Sequence, residues 1–123
     1  MILNNEYFKI DDCTKEGDEM LFDVTLLPDY CAYEGHFPGN PVSPGVCNIQ
    51  MLKECAEQLA GKNFFLEYIS RCKLSAVITP QTTPYLCVRM LLTEKGGLYE
   101  IKAVVSGEGT TYIEFKGELT PVT

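Results

Sequence analysis

The stretch EGHFPGNPVSPGVCNIQMLKEC, residues 34–55, holds three prolines and three glycines between Gly35 and Gly45, then turns into a run with helical periodicity. It also contains the only histidine of the chain, His36. Pro38, Pro41 and Pro44 fix φ at three places and restrict the residues before them, so the segment reads as a stiff, preorganised loop. Gly39 and Gly45 permit turns or a close backbone approach that a side chain would block. Gly45 falls at the expected helix start, where unpaired backbone N–H groups and the helix dipole favour negative charge, as an oxyanion site requires.

Beyond the loop, the spacing predicts a helix from Val46 to Ala60, ended by Gly61. Ile49, Leu52, Ala56 and Leu59 form one apolar stripe with Cys55 beside it. Gln50, Lys53, Glu54 and Glu57 gather on a separate polar arc, on which Lys53, Glu54 and Glu57 read as a solvated helix edge. Segments of β-type composition fill most of the remainder: Glu6–Asp11, Glu19–Leu27, Phe65–Leu74, Tyr85–Thr93, Leu98–Ser106 and Thr111–Leu119. Apolar and polar residues alternate through Tyr99–Ala103 and Tyr112–Lys116, the pattern of half-buried strands. Glu94-Lys95-Gly96-Gly97 and Gly107-Glu108-Gly109 supply turn signals between the last three segments, predicting an antiparallel meander. One long helix among about six antiparallel strands indicates an α+β domain with a sheet curled around the helix.

A length of 123 residues fits a single domain, 1–123. The apolar fraction of 46% with 22% charged residues is that of a globular protein, and no stretch nears the roughly 18 apolar residues of a membrane span. The N-terminal MILNNEYFKIDD lacks the basic-then-apolar pattern of a signal peptide, so the expected location is cytoplasmic. Six cysteines without a C-x-x-C pair read as reduced, mostly buried small residues rather than a disulfide framework or a zinc site. A net charge of −7 argues against nucleic acid as a partner. It leaves an acidic protein as a partner only where the basic residues gather locally.

Residues 36–46, HFPGNPVSPGV, resemble the signature loop of the hot-dog-fold (3R)-3-hydroxyacyl-acyl-carrier-protein dehydratases of type II fatty acid synthesis. In that family the loop reads His-Phe-Pro-Gly-x-Pro-Val-Met-Pro-Gly-Val and runs into the central helix; here only Met is changed, to Ser43. The resemblance extends along nearly the whole chain: a strand pair before the loop, the helix, a strand with the basic ending Arg71-Cys72-Lys73-Leu74, and a final meander. It implies a hot-dog fold, an antiparallel sheet wrapped around one long central helix, assembled as a homodimer, alone or with a paralogous subunit. It also implies a lyase that needs no metal or cofactor. Such an enzyme removes water from a 3-hydroxyacyl thioester on acyl-carrier protein, leaving a trans-2-enoyl product, in fatty acid or related polyketide-like biosynthesis.

By the same resemblance His36 is the base that takes the proton next to the thioester carbonyl, and the N–H of Gly45 polarises the carbonyl oxygen. The acid comes from the neighbouring subunit's helix and lies fourteen residues after the His, a position held here by Gln50. Glu54 follows one turn later, where the family commonly carries Gln, so the pair looks exchanged. Four residues correspond to about 6 Å along a helix, a large displacement for proton transfer. Gln50 therefore reads either as part of the site or as a brace. Phe37 is a loop anchor that could touch substrate, Tyr30 and Tyr33 could line an acyl tunnel, and packing alone would also explain all three. Arg71, Lys73 and Arg89 are candidates for a basic patch that receives the carrier protein. Two rival readings stay open: a weakened family member that binds acyl-carrier protein or supports a partner subunit, favoured by Gln50, and an acyl thioesterase on the same fold, disfavoured by the intact loop.

Overall fold

The structure, a computed structural model, describes residues 7–27, 45–76, 78 and 84–122. Their elements are β1 (Phe8–Glu16), β2 (Glu19–Leu26), α1 (Gly45–Ala60), β3 (Phe64–Leu74), β4 (Tyr85–Lys95), β5 (Leu98–Gly107) and β6 (Thr110–Pro121). The six strands form one sheet in the order β1-β2-β4-β5-β6-β3, antiparallel throughout. β2 and β3 flank α1 in sequence, yet β3 joins the sheet at the edge opposite β1. The chain therefore passes across the face that α1 covers, and the β4–β5–β6 meander fills the space between.

Side-chain alternation decides which face meets the helix. Phe22, Val88, Val105 and Ile113 are successive partners across β2, β4, β5 and β6, and all four are buried. Met90, Ala103 and Phe115 form the neighbouring buried row, with Met20 packed at its end. Met51, Leu52, Cys55 and Ala56 of α1 close the same core. Burying a large apolar side chain contributes roughly 1.5–3 kcal/mol, so this inner face carries most of what stabilises the domain. The helix stripe is rotated from its expected position: Met51 is fully buried, whereas Ile49 and Leu59 pack only partly against the core.

Two of the three tight hairpins form where the turn signals lie; the third, at Gly17-Asp18 between β1 and β2, falls beyond the expected end of the first strand. Gly96 and Gly97 have φ of 58° and 84°, and Glu108 and Gly109 have 50° and 78°, the left-handed pair that a two-residue type I′ turn requires. β1 extends to Glu16, beyond the expected end at Asp11. Its charged second half, with little apolar alternation, is held in register by β2, from Asp12 opposite Asp23 to Glu16 opposite Glu19. The cysteines are less buried than expected. Cys13 on edge strand β1 and Cys72 on edge strand β3 are exposed, Cys47 and Cys87 are half-buried, and only Cys55 of the five described is buried; all five are free thiols. Among the described residues no helix is long and apolar enough to cross a membrane.

Candidate active site

Helix α1 begins at Gly45. The Gly45 N–H thus belongs to the four amides that an α-helix leaves without an intrahelical acceptor. His36, Phe37, Tyr30 and Tyr33 lie outside the described residues, so the site is built here from the helix side.

The supposed solvated edge of α1 is in fact withdrawn from water. Glu54 is 0% and Glu57 7% exposed, and Gln50 is half-buried. Helical spacing groups these polar residues correctly, but whether their arc is covered depends on long-range packing. Gln50 donates from Nε2 to Glu54 Oε2 at 3.0 Å, the i to i+4 contact that one helical turn allows. Glu57 is fastened differently: its Oε2 accepts the Phe64 N–H at 2.9 Å and lies 3.8 Å from Lys53 Nζ. Its carbonyl accepts the Gly61 N–H at 2.8 Å, closing the helix at a residue with φ of 68°. Glu57 therefore ties the end of α1 to the start of β3. Gln50, Lys53 and Glu57 also border a concavity of about 270 Å³ completed by Asn63, Phe64, Phe65 and Val122.

Sequence reasoning missed one polar pair. Asn48, 4% exposed in the first turns of α1, accepts a 2.5 Å hydrogen bond from the hydroxyl of Tyr7, itself fully buried. The available signal was an Asn, a poor helix former, inside an otherwise apolar-rich helix start.

The basic candidates separate on the outward face of the sheet. Lys73 lies 3.9 Å from Glu114, and Arg89 lies 3.0 Å from Glu19 and 3.9 Å from Glu16. Arg71 is directly opposite Lys116, which is opposite Lys102, and these three cations line one open groove of about 310 Å³ together with Arg89. A larger concavity of about 740 Å³, bordered by Asp23, Tyr85, Cys87, Ser106 and Glu108, contains none of the expected site residues.

Residues 12–112 match the ApeI-like family, described as ApeI dehydratase. The chain is 36% identical over 90 residues to the 3-hydroxyacyl-acyl-carrier-protein dehydratase FabZ of Pediococcus pentosaceus, covering 67% of this chain and 59% of that protein. With the FabZ of Levilactobacillus brevis the identity is 32% over 101 residues, covering 76% and 62%. The chain thus spans about three fifths of the length of these curated relatives. Among solved structures, the dehydratase heterocomplex ApeI:P from Xenorhabdus doucetiae shares the fold, with a TM-score of 0.72, 21% identity and coverage of 90% of this chain and 96% of that one. The helix-in-sheet architecture is therefore the hot-dog fold, and with a family match running from β1 into β6 the chain belongs to the ApeI-like dehydratase family.

Proposed function

We propose that the chain is a (3R)-3-hydroxyacyl-acyl-carrier-protein dehydratase in which Glu54, not Gln50, supplies the acid. The observation that carries this reading is the Gln50–Glu54 hydrogen bond on a fully buried glutamate. The amide at the family's acid position orients a carboxyl one turn away instead of merely replacing one. His36 removes the proton on the carbon next to the thioester carbonyl, and the Gly45 N–H stabilises the charge that develops on the carbonyl oxygen. The electron pair of the broken C–H bond becomes the C=C bond. The C–O bond to the hydroxyl breaks as Glu54 gives its proton, and water and the trans-2-enoyl thioester result.

The active unit in this reading is a homodimer in the cytoplasm, where exposed thiols such as Cys13 and Cys72 stay reduced. Edge strand β3 supports the dimer: it exposes Phe65, Tyr68, Ile69 and Leu74, each 41% or more. Phe37, Tyr30 and Tyr33 are the residues assigned to substrate binding in this reading. The carrier protein docks on the outward sheet face. Arg71, with Lys116 and Lys102 beside it, is its chief contact, because Lys73 and Arg89 are already paired with carboxylates. The test is hydration of an enoyl thioester, the reverse reaction. Glu54→Gln and His36→Ala are each expected to lower it by at least about tenfold. Robust turnover that survives both substitutions would overturn the assignment.

Gln50 itself favours a second reading, a weakened member that supports a paralogous subunit. The Xenorhabdus doucetiae relative, a dehydratase heterocomplex, lends that reading weight. It requires feeble wild-type turnover, little change in Glu54→Gln, and a faster Gln50→Glu variant.

A further inference from the structure

We propose that Tyr7 is a positioning residue for the dehydration, a clasp that holds both ends of segment 28–44 in one fixed relation. The proposal rests on the placement of His36 and Gly45 in the reaction described above. Tyr7 reaches each end of the segment by a different bond. Its carbonyl accepts the N–H of Leu27, the last described residue before the segment, at 2.8 Å. Its hydroxyl donates to Asn48 Oδ1 in the first turns of α1, which opens directly after the segment. One fully buried residue thereby links points 21 residues apart in sequence, its main chain holding Leu27 and its side chain holding Asn48, with His36 between them in sequence.

The chemistry of the pair favours placement over stability. Asn is a weak helix former, and a buried Asn and a buried phenol each need a partner. An apolar pair of similar shape would fill the same space with little loss of stability, because removing both members of a buried hydrogen bond can be nearly neutral. What an apolar pair lacks is direction. The Tyr7–Asn48 bond sets where α1 starts relative to the β1–β2 hairpin, and so where the Gly45 N–H stands relative to the histidine that segment 28–44 carries. Rates of oriented reactions respond to displacements of about 1 Å, up to roughly a hundredfold.

The test compares Tyr7→Phe, Asn48→Leu and the double variant with the wild type in hydration of an enoyl thioester, together with amide hydrogen exchange. Tyr7→Phe is expected to lower kcat by about tenfold, with KM and the pH profile unchanged, because none of the groups assigned to proton transfer or substrate contact is altered. The double variant is expected to melt near the wild-type temperature and still turn over slowly, a separation that a merely structural role would not produce. Recovery of wild-type kcat in the double variant, or a change in KM alone, would overturn the proposal. Exchange decides the clasp independently of catalysis: Tyr7→Phe keeps the carbonyl that holds Leu27 but loses the hydroxyl that holds Asn48, so it should speed exchange in the first turns of α1 relative to β4 and β5. Unchanged exchange there sinks the clasp even if the dehydratase assignment stands. A wild type without turnover sinks the dehydratase assignment and leaves exchange to judge the clasp.

Discussion

Glu54 and Glu57 sit three residues apart on α1 and are both withdrawn from water, yet they are held by different kinds of partner. Glu57 takes a main-chain N–H from β3 and faces an ammonium, the surroundings of a carboxylate that serves as a fastener. Glu54 is bonded by the neutral amide of Gln50. Burial alone does not separate an architectural acid from a reactive one; the main-chain bond to β3 marks Glu57 as the fastener. The same contrast divides the helix. Its N-terminal and middle turns carry the Tyr7–Asn48 and Gln50–Glu54 bonds, and its last turn the bonds that end α1 and start β3.

The largest effect expected from this contrast is on rate. Glu54→Gln keeps the shape and can still bond an amide to Gln50, so it should fold normally while losing about 10² to 10⁴ in enoyl hydration, the usual worth of a positioned acid. Glu57→Gln should leave the rate within about threefold, since the side chain can still accept the Phe64 N–H. Steady-state kinetics on the two variants would break the comparison if the larger loss fell on Glu57.

Stability should respond in the opposite order. Glu57→Ala removes the acceptor of a buried N–H, which costs about 1–3 kcal/mol. Urea titration at fixed protein concentration should show a lower midpoint with little change in slope. A midpoint unchanged in Glu57→Ala but lowered in Glu54→Gln would reverse the roles assigned to the two acids.

Much of this architecture was legible in the sequence. The helix reads within one residue of its observed start because apolar spacing and the terminal Gly61 are local signals, and the β4–β5 and β5–β6 hairpins follow from residues able to adopt positive φ. What failed depends on distant parts of the chain. The second half of β1 is a strand because β2 pairs with it, not because DDCTKE alternates. Glu54 and Glu57 lie on one arc by spacing, but only the folded sheet decides that the arc is covered. Tyr7 and Asn48 are 41 residues apart, and no local pattern joins them. The histidine motif and the exchanged pair Gln50 and Glu54 are visible in the sequence through the family resemblance, whereas the hydrogen bond that joins the pair and the burial of Glu54 appear only on the folded helix.

Gln50 offers a smaller and sharper test, since it links the family's acid position to Glu54, the acid proposed above. Gln50→Leu is expected to lower kcat severalfold, less than loss of the carboxyl itself, because Glu54 keeps its proton-transfer capacity and loses one constraint on its geometry. Gln50→Glu places two carboxyls at i and i+4, a mutually repulsive pair, and should not exceed wild-type turnover. A faster Gln50→Glu enzyme would move the acid back to the family's position and reduce Glu54 to a buried neighbour.

The smallest expected effect reads the charge at Glu54 through Cys55, the next residue on α1. The Cys55 thiol is pushed above its ordinary range chiefly by burial and secondarily by the neighbouring Glu54 charge, with Cys13 contributing as well. It should therefore remain a thiol and alkylate far more slowly at pH 8 than exposed Cys72, which mass spectrometry of partly labelled protein can resolve. The sign of the coupling is fixed: the charge that Glu54 carries in its ionised form raises the Cys55 thiol, so neutral Gln in its place lowers the Cys55 pKa and increases its thiolate fraction at a given pH. Glu54→Gln should thus raise Cys55 labelling slightly, and only slightly, because the larger cause, burial, is untouched. Glu57→Gln should leave it unchanged, as Glu57 is not among the groups that shift Cys55. An equal response to both substitutions would mean that the label reports loosening of the whole helix, and the electrostatic distinction between the two glutamates would fail at the level where it is easiest to measure.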